Sequence, residues 1–322
     1  MRLLLSILFV LLSLNLFAQD IQPDSIRTYE MENIVIQENR LKTPFAEASR
    51  DIDIITAKDI QQSVAKSVPE ILSYTPGVDI RQRGPVGVQS DIGIRGGSFE
   101  QTLILVNGIK MSDPQTGHHA LNLPFNINNI ERIEVLKGPG ARIFGQNAFS
   151  GAVNIITRIP DKKRIGLSAY AGEFGLYGLN LDLALPRGDF KQYISIARDA
   201  SDGYRHNTDF TIDNFFYQAT IDQVAGGEIN LMAGFTNRKF GANGFYASPA
   251  FTEQYEEVKT GLVSAAFEIE NQLIHNTARA YWRINNDDYM FVRDNPGVYR
   301  NDHTTQVLGI ENNISLQHEL GA

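Results

Sequence analysis

From about Ile165 onward, apolar and polar residues alternate with a period of two, and this pattern limits the fold more than any other feature of the chain. Tyr177, Leu179, Leu181, Leu183 and Leu185 share one face of an extended segment, with Gly178, Asn180, Asp182 and Ala184 on the other. Ile229, Leu231, Ala233 and Phe235 repeat the pattern against Asn230, Met232, Gly234 and Thr236. Ile274, Ala278, Ala280, Trp282 and Ile284 repeat it again, against His275, Thr277, Arg279, Tyr281 and Arg283. Successive side chains of a strand point to opposite faces, so each segment has one apolar and one wet face. A membrane barrel with a polar lumen uses such strands, and so does a soluble sandwich with one solvated face. The connections favour the barrel. Pro186-Arg187-Gly188-Asp189, Ala225-Gly226-Gly227 and Asn271-Gln272 are tight, whereas residues 201–210, 241–256 and 286–304 form long polar loops. Membrane barrels carry short turns on the periplasmic side and long loops outside.

The pattern predicts about eight antiparallel strands, with His318-Glu319-Leu320-Gly321-Ala322 reading as a further periplasmic turn. An eight-stranded barrel has room only for its own side chains. The residues before it must therefore sit outside a small barrel, or the strands are part of a larger one.

Those earlier residues follow a different pattern. Thr56-Ala57-Lys58-Asp59 and Ser67-Val68-Pro69-Glu70 read as helix starts, the second with a Ser cap, a Pro in the first turn and a Glu three residues after the cap. Thr75-Pro76-Gly77 stops that helix early. Strand-like runs cover residues 52–56, 78–82, 91–95, 102–106, 130–136 and 153–157, and Asn107-Gly108 marks a tight hairpin after the fourth. This is a compact α+β unit, a small mixed sheet with short helices.

At the N-terminus Arg2 precedes an apolar run from Leu3 to Phe17, followed by Ala18-Gln19-Asp20. The run reads as an export signal cleaved after Ala18, being shorter than the roughly 20 residues that span a bilayer as a helix. No later stretch is long and apolar enough for a membrane helix, so any crossing must use strands. The net charge of -8 leaves no basic footprint for nucleic acid. The absence of cysteine excludes thiolate metal sites and a Cys nucleophile. Six histidines without H-E-x-x-H spacing, and no recognisable triad, argue against an enzyme. Gly138, Gly140 and Gly145 behind Ile133-Glu134-Val135-Leu136 imitate a phosphate loop, but Pro139 interrupts them and a strand follows almost at once.

Four ordered blocks carry a resemblance: SVPEILSYTPGVDI from Ser67, IGIRG from Ile92, LILVNGI from Leu103, and IERIEVLKGPGARIFGQNAFSGAVNIIT from Ile130. In this order and spacing they resemble the plug of TonB-dependent outer-membrane receptors, closest in style to those for vitamin B12 and siderophores. The resemblance implies an α+β plug followed by antiparallel transmembrane β-barrel strands, here an incomplete barrel with about eight strands of an expected 22. It divides the chain into a signal (1–18), an N-terminal segment with a TonB box (19–45), the plug (46–160) and the first part of the barrel (161–322). It implies a monomer in the outer membrane with plug and N-terminus facing the periplasm. Its expected partners are the TonB energy-transduction complex and a small-molecule ligand, with no cofactor and no nucleic acid. Active uptake of a ferric siderophore or a cobalamin-like corrinoid is the implied function. A passive porin and a binding-only surface receptor are the alternatives.

The resemblance also assigns residues. Glu32, Asn33, Ile34, Val35 and Ile36 match the TonB box, an accessible extended peptide suited to strand addition on a partner. Arg95 and Lys137 stand where the family's basic plug residues meet acidic residues of the barrel wall, Lys137 replacing the usual Arg. Glu131, Arg132 and Glu134 lie beside them on one strand and are equally able to pair with one another. The apical loops, residues 81–90 and 110–122, offer Gln82, Arg83, Gln89, Asp113, Gln115, His118 and His119 to a ligand, and no resident metal is expected in them. Asp287, Asp288, Asp294 and Asp302 fall in an expected outer loop that could hold Ca²⁺ through oxygen ligands.

Overall fold

The computed structural model describes residues 35–36, 43–44, 51–246, 248–271 and 273–316. The export signal, box residues Glu32, Asn33 and Ile34, and the terminal turn at 318–322 lie outside the described residues. Two short strands, β1 (Val35–Ile36) and β2 (Thr43–Pro44), pair antiparallel, with Val35 opposite Pro44.

The inner domain contains a five-stranded sheet ordered β3-β8-β9-β6-β7, made of β3 (Ile52–Thr56), β6 (Thr102–Val106), β7 (Ile109–Lys110), β8 (Ile130–Lys137) and β9 (Gly151–Thr157). The β6–β9 pair is parallel and the others antiparallel, so the sheet is mixed. A separate hairpin joins β4 (Val78–Arg83) to β5 (Gln89–Ile94). Three short helices complete the domain: α1 (Ala57–Gln62), α2 (Val68–Leu72) and α3 (Ala141–Phe144). Thr56 and Asp59 close a reciprocal capping box on α1. Ser67 caps α2 as expected, but Glu70 reaches back to the backbone N–H of Lys66 (2.6 Å) instead of the cap residue. Asn107 and Gly108 both adopt positive φ, 49° and 79°, the combination a two-residue hairpin between twisted strands demands.

Two expected boundaries shift. Strand β5 ends at Ile94 because Arg95 turns into the left-handed region, φ 49°. The first apical loop shrinks to Gly84–Val88, which places Gln82, Arg83 and Gln89 on the paired strands β4 and β5.

The second half forms one antiparallel sheet of eight strands in chain order: β10 (Arg164–Ala171), β11 (Tyr177–Ala184), β12 (Phe190–Ser201), β13 (Phe210–Val224), β14 (Gly227–Gly241), β15 (Tyr255–Glu270), β16 (Ile274–Met290) and β17 (Arg300–Leu316). Among the described residues β10 and β17 each have one neighbour, so the sheet does not close. Ile165, Leu167, Leu179, Leu181, Phe235, Trp282 and Leu308 project outward and are exposed, Ile165 by 78%. A contiguous apolar face of this kind suits lipid, not water. No helix among the described residues is long and apolar enough to cross a membrane.

The opposite face of this wall closes on the inner domain. Tyr193, Phe216, Met232, Leu262 and Tyr281 share one apolar core with Leu72, Ile92, Ile104, Val106, Ile133, Val135, Val153 and Ile155. Leu103, Leu105, Leu136, Phe144 and Ala152 pack on the other side of the five-stranded sheet. Its central strands are thus buried on both faces, which is why LILV at 103–106 is an unbroken apolar run.

The third long loop is shorter than expected, because β16 and β17 extend to Met290 and from Arg300. Asp287, Asp288 and Asp302 therefore lie on strands and only Asp294 remains in the loop. Asp287 and Asp288, as neighbours on a strand, face opposite sides. Asp287 is buried inward, while Asp288 accepts two hydrogen bonds from Arg300 at 2.7 and 2.8 Å. The four aspartates that could have shared a Ca²⁺ ion are not brought together among the described residues.

Candidate functional site at the interface of inner domain and wall

The segment after β7 makes a polar contact with the wall. Asp113 and Arg283 of β16 form an ion pair at 2.9 Å, with side chains 0% and 1% exposed. Asp113 also accepts from the Thr305 hydroxyl of β17 at 2.9 Å and from the backbone N–H of Gln115 at 2.9 Å. Arg283 donates further to the Ser112 carbonyl at 2.8 Å. Charge at this depth persists because the two groups neutralise each other and take further hydrogen bonds, although the Arg283 Nε–H has no partner; loss of either charge strands the other in an apolar surround.

Gln115 donates to Asp287 at 2.8 Å. His119 lies on the 3₁₀ turn Gly117–His119, which Thr116 caps. Its Nε2 is 3.1 Å from Glu256 Oε1 of β15, and its Nδ1 is 3.1 Å from the Asn285 amide of β16. Burial works against an imidazolium here, but the hydrogen bond and charge of Glu256, joined by Asp287 and Asp113, outweigh it and raise the His119 pKa above its ordinary value. Tyr246 from the loop before β15 donates its hydroxyl to the other Glu256 oxygen.

His118 turns the other way. Its Nδ1 sits 2.6 Å from Asp91, and its ring stacks on Phe99 with centroids 4.4 Å apart. Arg83 donates to both Gln89 (2.8 Å) and Asp91 (2.7 Å). Burial pushes the Asp91 carboxyl up, but the hydrogen bonds from His118 and Arg83 prevail and hold it below the ordinary range. Of the seven residues expected to offer themselves to a ligand, Asp113, Gln115 and His119 are engaged with the wall. Arg83, Gln89 and His118 are tied into the Asp91 network. Gln82 remains exposed, 3.5 Å from Glu70.

Arg95 and Lys137 bind within the inner domain. Arg95 pairs with Asp51 and donates to the Lys137 carbonyl at 3.0 Å, while the Lys137 ammonium pairs with Asp53. Arg132 bonds its strand neighbours Glu131 (2.5 Å) and Glu134 (3.0 Å). Asp51 and Asp53 stand at the entrance to β3, the edge strand through which the N-terminal segment enters the sheet. Sequence reasoning missed Asp51 and Asp53, and it missed Arg283 and Glu256. The available signal for the last two was a charged residue on the lumen face of an alternating strand.

Further hydrogen bonds join the two parts. Asn129 donates to Ser195 (2.7 Å) and Tyr193 (3.1 Å), Thr157 to Gln218 (2.6 Å), and Arg238 of β14 to the Gly87 carbonyl (2.7 Å). At Gly234 a Cβ would stand 2.6 Å from the Pro124 carbonyl oxygen, so the close approach of the inner domain requires glycine there.

Residues 44–152 match the family model described as TonB-dependent Receptor Plug Domain. The vitamin B12 transporter BtuB of Vibrio vulnificus is 33% identical over 142 residues, covering 44% of this chain and 22% of that protein. The siderophore receptor PiuA from Acinetobacter baumannii superposes with a TM-score of 0.69 at 15% identity, over 87% of this chain and 44% of that one. The E. coli receptor Fiu, described as a ferric-catecholate importer, gives 0.65 at 18% identity, over 84% and 47%. The inner domain is thus a plug of the TonB-dependent outer-membrane receptor class, joined to barrel strands of the fold those receptors share. The chain spans only 22–28% of the length of the curated relatives it matches.

Proposed function

We propose that the protein to which this chain belongs is an active transporter of the outer membrane. It takes up a scarce ligand, a ferric siderophore or a cobalamin-like corrinoid, and draws its energy from the TonB complex. The observation that carries this reading is the character of the plug–wall contact. It is a hydrogen-bonded, ion-paired surface around Asp113–Arg283, laid over an apolar seam. Polar contacts of this kind can be exchanged for water when the plug moves, whereas a purely apolar seal has no such substitute. The ligands named for similar proteins, vitamin B12 and iron chelates, are what supports this choice of substrate class.

In this reading the ligand sits outside on the apical segment and outer loops, with Gln82 and the Arg83–Asp91–His118 network nearest to it. Residues Glu32, Asn33, Ile34, Val35 and Ile36 are the segment that TonB engages. Traction on that segment first loads β3, held at the sheet edge by Arg95–Asp51 and Lys137–Asp53, and peels it from β8. An edge strand has one ladder to break, so this unit opens at lower cost than the whole plug. An open porin is not favoured by a lumen face already packed against a domain.

The Val35→Pro variant tests the coupling. Proline removes a backbone donor needed for strand addition. Uptake of labelled cobalamin or ferric siderophore by energised cells should vanish while surface binding persists. Uptake at the wild-type rate would refute the coupling role.

A further inference from the structure

The plug and wall bring together a group of side chains that the transport reading leaves unexplained. His119, Glu256 and Asp287 are all buried, and one ligand atom from each lies within 4.8 Å of the others. They come from three elements: the apical turn of the plug, β15 and β16. Across the β15–β16 ladder Val258 faces Asp287, so Glu256 is the diagonal neighbour of Asp287 on the lumen face. Two carboxylates held this close and away from water repel each other unless a positive charge stands between them.

Each side chain has one atom committed to a neighbour and one turned inward. Tyr246 binds the second oxygen of Glu256, leaving Oε1 toward His119. Gln115 donates to Asp287 Oδ2, while Asp287 Oδ1 is buried without a hydrogen-bond partner. Asp287 as a whole is only 6% exposed. Asn285 holds His119 Nδ1, and the Thr260 hydroxyl donates to the Asn285 carbonyl oxygen at 2.6 Å. Turning that amide over, with the Thr260 hydroxyl rotating to accept, lets Nδ1–H donate to the Asn285 oxygen and frees Nε2 as a lone-pair donor. Gln115 Oε1 is a further buried oxygen with no partner.

We propose that His119 Nε2, Glu256 Oε1 and Asp287 Oδ1 bind a divalent transition-metal ion that staples the plug's apical turn to the barrel wall. One imidazole with two carboxylates suits zinc and its first-row neighbours; calcium and magnesium prefer all-oxygen shells. Ligand atoms about 2.0–2.2 Å from such an ion lie roughly 3.3–3.6 Å from one another in a tetrahedral shell. The His119–Glu256 separation of 3.1 Å is already close to that spacing. With neutral imidazole, the charge of the dication cancels the two carboxylates. A plug fastened in this way stays seated until the apical turn is displaced, and metal supply then influences how readily it moves.

The test uses the purified full-length receptor in detergent, stripped with chelator and then titrated with Zn²⁺ or Co²⁺. A His275→Ala background removes from the count the second acid–histidine group among the described residues, Glu268, Glu270 and His275. Retention of one equivalent after dialysis is expected, with a Co²⁺ visible spectrum of low coordination number and imidazole scattering in X-ray absorption. The metal should raise the melting temperature, and Glu256→Gln combined with Asp287→Asn should abolish retention. Asn285→Ala should weaken binding about 10–100-fold. Failure of the stripped receptor to retain metal would overturn the proposal, as would undiminished retention by the folded double variant. If that variant does not fold, the unaltered ligand set decides the matter: a hexaaqua-like Co²⁺ spectrum rejects the site, and an imidazole-bearing one supports it.

Discussion

Asp113 and Arg283 hold opposite charges in a place almost without water, 170 residues apart in sequence. Removing one member leaves the other charged, buried and unmatched, at a cost of about 3–5 kcal/mol. Asp113→Ala should therefore lower the unfolding free energy, read from urea denaturation, by an amount of that order. Adding Arg283→Met should recover most of the loss, because a flexible apolar chain of similar length fills the gap without a charge. A single variant as stable as the parent would show that the pair contributes nothing to seating. The neighbouring histidines separate at the same scale. His119 enters the wall network, and His118 closes the Asp91 network on the plug.

At the scale of elements, α1 depends on its cap because a helix of six residues has little else to satisfy its first amides. Thr56 donates its hydroxyl to Asp59 at 2.6 Å and its backbone N–H at 2.8 Å, and these bonds lower the Asp59 pKa from its ordinary 3.8. Because the folded value is the lower one, the carboxylate's contribution is present above the unfolded pKa and fades as pH falls through the folded one. Thr56→Ala should cost about 1 kcal/mol locally, read as faster hydrogen exchange in α1 at neutral pH. Below the folded pKa, in acid, the difference between variant and parent should narrow. Equal exchange at neutral pH would count against the cap.

Over the whole molecule the two faces of the wall obey different solvents. Phe235 on β14 points outward and pairs with Phe215 across the ladder, while Thr236 beside it is fully buried toward the plug. Phe235→Arg would set a charge in the apolar belt, at a cost of about 2–4 kcal/mol near the bilayer midplane and less toward its edges. Unfolding in lipid vesicles should show that loss. No change in stability would place Phe235 outside the lipid-facing band.

The alternation after Ile165 determined the strands and their inward and outward faces, because period-two hydrophobicity is a local property that neighbouring strands merely repeat. The caps at Thr56 and Ser67 and the Asn107-Gly108 turn were equally legible, since their hydrogen bonds close within a few residues. Only the tertiary structure decided which charges meet. Arg95 and Lys137 turned to Asp51 and Asp53 within the plug, and Asp287 left the expected outer loop for a buried strand position. Asp113, Gln115 and His119 found partners on β15, β16 and β17. Such pairings depend on register between segments far apart in the chain, and nothing in the local pattern of either segment specifies it.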